Sequence, residues 1–174
     1  MAVAVVVLAA CGGDKPANTP PADSAAPAAA AAPAPTDSAA PVAAAGNVSM
    51  EKGQELYGRC MACHQQNGDG MPSAFPPLAG SEWVTGPASR PIAILLHGLQ
   101  GEITVKGTKY NSMMMAYGTG VPMTDEEVAS VLTYVRASFG NTASAVTVEE
   151  VAKVRAATAG RSSPMSQKDL EALQ

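Results

Sequence analysis

Apolar residues recur at the spacing of an α-helix in two separate stretches of the chain. The clearer stretch follows Thr124, which begins a capping box completed by Glu127, and its acidic first turn suits the positive end of a helix dipole. Its apolar side is formed by Val128, Val131, Leu132 and Val135. This spacing predicts an amphipathic helix that packs against a core and ends at Gly140.

An earlier stretch, residues 50–59, predicts a shorter amphipathic helix that begins after a serine N-cap. One side of this helix contains Gly53 and Tyr57. A glycine inside a helix costs about 1 kcal/mol relative to alanine, so we expect it to permit close contact with another helix. We predict that Val131 and Tyr134 of the later helix make this contact.

The chain between these two helices is rich in turn residues. A third helix is predicted over residues 90–96, and Gly98 is suited to end it. Residues 103–110 alternate in polarity as a small hairpin does, with the turn at Lys106 and Gly107. Helices dominate these elements, so the predicted fold class is all-α.

Residues 1–11 resemble a bacterial lipoprotein signal. A short apolar run ends in Leu8-Ala9-Ala10-Cys11, where the cysteine would be lipidated. The run is too short to span a bilayer, and the basic residues usually found ahead of it are missing, which suggests a start codon further upstream. An ordinary cleaved signal with an incidental cysteine is the alternative. Either interpretation predicts export, and the first predicts a periplasmic protein anchored to a membrane by lipid.

The next segment, residues 12–46, is mostly Ala and Pro and predicts a disordered linker, because it cannot bury enough apolar surface to offset its ordering entropy. At about 3.1 Å per residue, such a linker reaches roughly 100 Å when taut. We expect one folded unit over residues 47–140. Residues 141–174 then form a helical extension, with a capping-box start at Thr147 and a second short helix that begins at Ser166. The sequence leaves open whether this extension packs on the folded unit or on a partner.

Charge excludes one class of function. The net charge is −4 and the isoelectric point is near 5.1, and no basic run of the kind that follows a phosphate backbone is present. Nucleic acid is therefore not an expected partner.

The strongest chemical signal is the C-M-A-C-H sequence of residues 60–64. In a C-x-x-C-H motif, Cys60 and Cys63 add to the two vinyl groups of haem, and His64 binds the iron as proximal ligand. A thioredoxin-like dithiol would follow a strand, and a zinc site would need a second Cys or His pair downstream. Outside the motif, the sequence contains one further histidine, His97, and one further cysteine, Cys11. The motif therefore predicts one covalent haem c.

With this motif in view, residues 47–140 resemble a class I cytochrome c domain. Five features carry the resemblance: the first helix with Gly53 and Tyr57, the C-M-A-C-H motif, the Phe75-Pro76-Pro77-Leu78-Ala79-Gly80 loop, the methionine-bearing loop, and the closing helix with Leu132-Thr133-Tyr134-Val135-Arg136. The resemblance implies a small cytochrome c fold with iron ligated by His64 and by a methionine from 113–115. It also implies that the peptide oxygen of Pro76 orients the histidine.

Among the three consecutive methionines, the resemblance favours Met114 as the iron ligand. Similar domains have a proline after the ligand, where this chain has Met115. Met115 and then Met113 remain the alternatives, whereas Met123 is interpreted as a hydrophobic staple before the closing helix. His97 is a further possible ligand, although a histidine at the end of a helix needs no metal to explain it.

The implied function is electron transfer between exported or membrane redox proteins, because a soft thioether stabilises Fe(II) and fills the last coordination position. No catalytic constellation stands out, so neither an enzyme activity nor a small-molecule substrate is expected. Two alternatives remain. The chain could be the electron-accepting subunit of a quinoprotein dehydrogenase or terminal reductase, with 141–174 as its docking element, or a gas-binding or peroxidatic haem protein.

Overall fold

The computed structural model describes residues 48–117 and 122–173. Cys11, the predicted lipoprotein signal and the predicted 12–46 linker lie outside the described residues. The elements in the described part are α1 Met50–Tyr57, α2 Met61–His64, α3 Glu82–Thr85, α4 Ser89–His97, β1 Glu102–Val105, β2 Thr108–Asn111, α5 Asp125–Ala137, α6 Val148–Ala157 and α7 Gln167–Glu171. The predicted helical fold class is therefore confirmed, with one small hairpin added to it. No helix among the described residues is long and apolar enough to cross a membrane.

The backbones of α1 and α5 touch at Gly53. A Cβ atom at this position would overlap the carbonyl oxygen of Ser130 and lie 2.7 Å from Cβ of Tyr134. The predicted role of Tyr134 is confirmed, but the prediction for Val131 was wrong. Positions i and i+4 share a helix face, so Ser130 and Tyr134 face α1 together, whereas Val131 is turned inward and lines a cavity.

The hairpin forms as predicted, with Ile103 opposite Tyr110 and a turn at Lys106 and Gly107, both at positive φ. Trp83 donates its indole N–H to the carbonyl oxygen of Thr104 at 2.7 Å, so the hairpin is tied to α3. The sequence did not predict α3. A helix of four residues is too short to produce a periodic pattern.

The C-terminal extension packs on the same core as the earlier helices. Helix α6 contacts α4 and α5, and α7 contacts α4 and β1. The buried residues of the extension are Val146, Val151, Val154, Met165 and Leu170. The predicted capping box at Thr147 is present, and the second helix begins after Ser166 as predicted, with a capping box of its own. The extension therefore packs on the folded unit of this chain, a question that the sequence left open, and its apolar side is buried there.

Candidate functional site

The five residues that the sequence predicts for cofactor binding, Cys60, Cys63, His64, Pro76 and Met114, line one cavity. A second cavity adjoins it and shares part of its lining. The shared residues are Cys60, His64, Pro76, Leu99, Ile103 and Met114. We call these two cavities together the central cleft. Its second half has apolar walls that include Leu95, Val105, Val131, Leu132 and Val135.

The C-x-x-C-H motif folds as a single helical turn. The backbone N–H groups of Cys63 and His64 both donate to the carbonyl oxygen of Cys60, at 3.2 and 2.9 Å. Residues at positions i, i+3 and i+4 lie on one side of a helix. This spacing explains why both thiols and the imidazole line the same cavity.

The orientation of His64 is fixed by one hydrogen bond. Its Nδ1 lies 3.0 Å from the carbonyl oxygen of Pro76. A carbonyl oxygen can only accept, so Nδ1 carries the proton and Nε2 keeps the lone pair that a metal requires. The residue is only 8% exposed. Burial lowers the pKa of His64, and the bond to Pro76 opposes this shift.

The Cys60 thiol does not have the character of a reactive cysteine in a redox-active dithiol. Burial, with a smaller contribution from Cys63, raises the pKa of Cys60 to about 11, and Arg59 opposes this shift. Reactive cysteines of the thioredoxin type have lowered pKa values instead. Within residues 48–117 and 122–173, no group of three His, Cys, Asp or Glu side chains is arranged to hold a metal ion. The zinc interpretation therefore finds no set of ligands there.

Of the three consecutive methionines, only the middle one is partly buried. Met113 and Met115 line only the first half of the central cleft and are 62% and 71% exposed. Met114 packs against the hydrophobic core and lines both halves. The backbone of Met114 pairs with Leu99, with N–H to O distances of 2.8 and 3.0 Å. This pairing brings Met114 to the same cleft as His64.

Both ends of the methionine loop are fixed by residues that sequence reasoning missed. The hydroxyl of Ser112 donates to the carbonyl oxygen of Ala74 at 2.6 Å. The backbone N–H of Tyr117 donates to the carbonyl oxygen of Leu95 at 2.8 Å. The Tyr117 hydroxyl donates to the carbonyl oxygen of Arg59 at 3.2 Å. These bonds end on main-chain carbonyls, which any residue provides, so the sequence contains no signal for the acceptors.

The two remaining candidates lie away from the cleft lining. The hydroxyl of Thr158 donates to the Val154 carbonyl oxygen, so Nε2 of His97 must donate to that hydroxyl, at 2.7 Å. This bond occupies Nε2 of His97 at the end of α4. Met123 is buried immediately before the cap of α5, where a staple residue is expected. Neither residue lines the central cleft.

The donor set and the cleft walls fit a covalent haem. An apolar macrocycle needs apolar walls, its vinyl groups need two thiols on one side, and its iron accepts an imidazole nitrogen and a thioether sulfur. The central cleft offers each of these from the residues named above.

Comparison with known proteins agrees with this fit, since the sequence profile of the family described as cytochrome c matches residues 50–138. The chain belongs to the cytochrome c family. It is 43% identical over 113 residues to cytochrome c-552 of Thermus thermophilus, a match that covers 60% of this chain and 84% of the relative.

Larger proteins share the same domain. This cytochrome c is 31% identical over 112 residues to the cytochrome c subunit of the quinone alcohol dehydrogenase of Gluconacetobacter polyoxogenes, covering 63% of this chain and 24% of that subunit. It is 30% identical over 102 residues to the fructose dehydrogenase cytochrome subunit of Gluconobacter japonicus, covering 56% of this chain and 20% of the relative.

Family membership settles the general activity. This cytochrome c carries electrons by means of a covalent c-type haem, and it is an electron carrier rather than an enzyme. The haem supplies an iron that gains and loses one electron.

The contact between Gly70 and the Pro76 carbonyl allows a direct test of how His64 is held. A Cβ atom at Gly70 would lie 2.6 Å from the Pro76 oxygen. We expect Gly70→Ala to displace this acceptor and destabilise the holoprotein by about 1–3 kcal/mol in denaturant unfolding, with shifted His64 ring resonances. Gly107→Ala is the matched control, since Gly107 has a similar positive φ and no atom within 4 Å of such a Cβ. Equal losses in both variants would contradict the argument.

Proposed function

We propose that this protein is a monohaem electron carrier whose iron is ligated by His64 and Met114 and whose haem is bonded to Cys60 and Cys63. The observation that carries the proposal is the convergence of both axial donors and both thiols on the central cleft. A haem count of one is supported by the single C-x-x-C-H motif in the sequence.

Each residue has a distinct role in this proposal. His64 is held by Pro76 so that Nε2 remains available, and the two thioethers make the cofactor permanent. The soft sulfur of Met114 favours Fe(II), so it raises the reduction potential. With both axial positions filled, small molecules are kept from the iron. This argues against the gas-binding and peroxidatic alternatives.

The physiological partners are redox proteins, and a freely diffusing or tethered carrier is favoured over an enzyme subunit. The match to cytochrome c-552 covers 84% of that relative, whereas the match to the dehydrogenase subunit covers 24%. The apolar face of the extension, over residues 141–173, is also buried within this chain, so this face is not free to dock on a catalytic subunit. Co-purification with a dehydrogenase would favour the subunit function instead.

We further propose that residues 12–46 form a tether between a lipid on Cys11 and the cytochrome unit of residues 47–140. The support is the Leu8-Ala9-Ala10-Cys11 sequence and the Ala- and Pro-rich composition that follows it. A membrane anchor outside the cytoplasm would let the haem domain move between partners within roughly 100 Å of the surface.

Thioether attachment predicts that haem stays with the protein through acid-acetone extraction and denaturing electrophoresis. Cys63→Ala should strongly reduce the yield of holoprotein, because one of the two covalent bonds is lost. Haem-stained gels and the alkaline pyridine spectrum measure both effects. Free extraction of haem from the wild type would rule out this attachment.

Methionine ligation predicts that Met114→Ala abolishes the weak near-infrared charge-transfer band of the ferric protein, lowers the potential and lets cyanide bind. Met113→Ala and Met115→Ala are matched controls, since both side chains are largely exposed and both substitutions leave the loop length unchanged. Their spectra and potentials should stay close to wild type. Loss of the band in Met115→Ala but not in Met114→Ala would move the ligand by one residue.

The tether predicts that Cys11→Ser releases the protein from the membrane fraction while its haem spectrum stays unchanged. Fractionation with haem staining measures the release, and mass spectrometry of the wild type should detect lipid on Cys11. Membrane association that persists in Cys11→Ser, with no lipid on the wild-type cysteine, would refute the anchor.

A further inference from the structure

We propose that the C-terminal extension positions the iron ligand. Met165 of the extension pairs with one edge of residues 98–100, and Met114 pairs with the opposite edge. This inference rests on the proposed ligation by Met114. It assigns to residues 141–173 a role in setting how often the methionine loop opens, in addition to their burial of apolar surface.

The first part of the argument is a three-segment hydrogen-bond ladder, which we call the Leu99 bridge. The N–H of Leu99 donates to the Met114 carbonyl oxygen, and the N–H of Met114 donates to the Leu99 carbonyl oxygen, with N to O distances of 3.0 and 2.8 Å. On the opposite edge, the N–H of Met165 donates to the Gly98 carbonyl oxygen, and the N–H of Gln100 donates to the Met165 carbonyl oxygen, both at 2.9 Å. Leu99 is thus paired antiparallel with Met114 and parallel with Met165.

The second part is the weak side-chain packing of the loop itself. Met113 and Met115 line the first half of the cleft but are 62% and 71% exposed, so their packing adds little to that of the partly buried Met114 side chain. Backbone pairing through Leu99 is then a main restraint on the loop centre. Residues 98–100 are paired on both edges, so they cannot move with the loop unless the bonds to Met165 also break, and Leu99 remains in place as the partner of Met114.

The third part is that the segment around Met165 is itself firmly packed. Met165 is 2% exposed and Leu170 is fully buried. Arg161 donates to the Pro164 carbonyl oxygen at 3.1 Å and to the carboxylate of Asp169 at 2.6 Å. Arg90 in α4 also donates to the Leu170 carbonyl oxygen, at 3.1 Å. The extension therefore holds residues 98–100 from a position that is itself fixed.

The fourth part is the close approach of the loop to Gly98. A Cβ atom there would lie 2.5 Å from the Met114 oxygen and 3.0 Å from the Ala116 nitrogen. Gly98 also has φ of +77°, which favours glycine. The loop backbone rests directly on the residue whose carbonyl accepts from Met165, so a movement of either segment is transmitted to the other.

The test uses the full-length ferric holoprotein and imidazole as the competing ligand. Imidazole replaces a methionine only when the loop is open, so its apparent affinity scales with the open fraction. Met165→Pro removes the N–H that donates to Gly98, whereas Met165→Leu keeps it at similar side-chain volume. We expect about tenfold tighter imidazole binding in Met165→Pro, equivalent to about 1.4 kcal/mol, and near wild-type binding in Met165→Leu.

Hydrogen exchange provides a readout that does not involve ligand binding at the iron. In Met165→Pro, the amide of Met114 should exchange about tenfold faster than in wild type, in step with the imidazole result. Val151→Ala is the control for general destabilisation, since it opens a cavity under α6 but removes no hydrogen bond of the Leu99 bridge. It should leave both measurements unchanged.

A second pair of variants covers the case in which Met165→Pro yields no holoprotein. Gly98→Ala should shift both measurements in the same direction, while Gly107→Ala, at φ of +76° with no neighbour within 4 Å, should not. Unchanged imidazole affinity and exchange in Met165→Pro, or in Gly98→Ala if that variant alone folds, would overturn the proposal. Failure of the Met114 assignment is distinguishable, because the charge-transfer band would then survive in Met114→Ala.

Discussion

The proposed haem site depends on holding two donors from distant parts of the chain at one apolar cleft. His64 ends a single helical turn, and Met114 lies in the middle of a loop that follows the hairpin. Neither position has enough local structure to fix a side chain on its own. Each donor is therefore held by a main-chain carbonyl or N–H group from another segment: the Pro76 oxygen for His64, and the Leu99 backbone for Met114.

The two sides of the cleft are supported by different parts of the fold. On the His64 side, α1 and α5 meet without a side chain between them at Gly53, and the rings of Tyr57, Tyr134 and Phe139 pack within 5.8 Å of one another, centroid to centroid. On the methionine side, α4 continues into the Leu99 bridge, which the C-terminal extension holds from behind. The first support consists of close helix packing and ring packing, and the second consists mainly of backbone hydrogen bonds.

This difference explains what the sequence could and could not predict. The proposed haem residues Cys60, Cys63 and His64 could be named from the sequence because a covalent cofactor demands fixed residue types at fixed spacing. Helix α5 could be predicted because its capping box and periodicity are side-chain signals. The partner of Met114 was not found, since the Leu99 bridge uses peptide groups that every residue offers. Ser130 was missed in favour of Val131 because both are compatible with helical spacing, and only the packing shows which one faces α1.

Arg136 joins the C-terminal extension to the rest of the molecule, again through bonds to main-chain carbonyl groups. It is 3% exposed, and burial lowers its pKa, with Glu150 opposing the shift. Its guanidinium donates to the carbonyl oxygens of Val84, Gly86 and Ser144. A planar fork with five N–H groups can satisfy acceptors in several directions, which the ammonium group of a lysine cannot do with the same geometry. One side chain of α5 therefore binds both α3, which contributes Val84 to the cleft wall, and the first residues of the extension, so that the chain enters the extension from a fixed point.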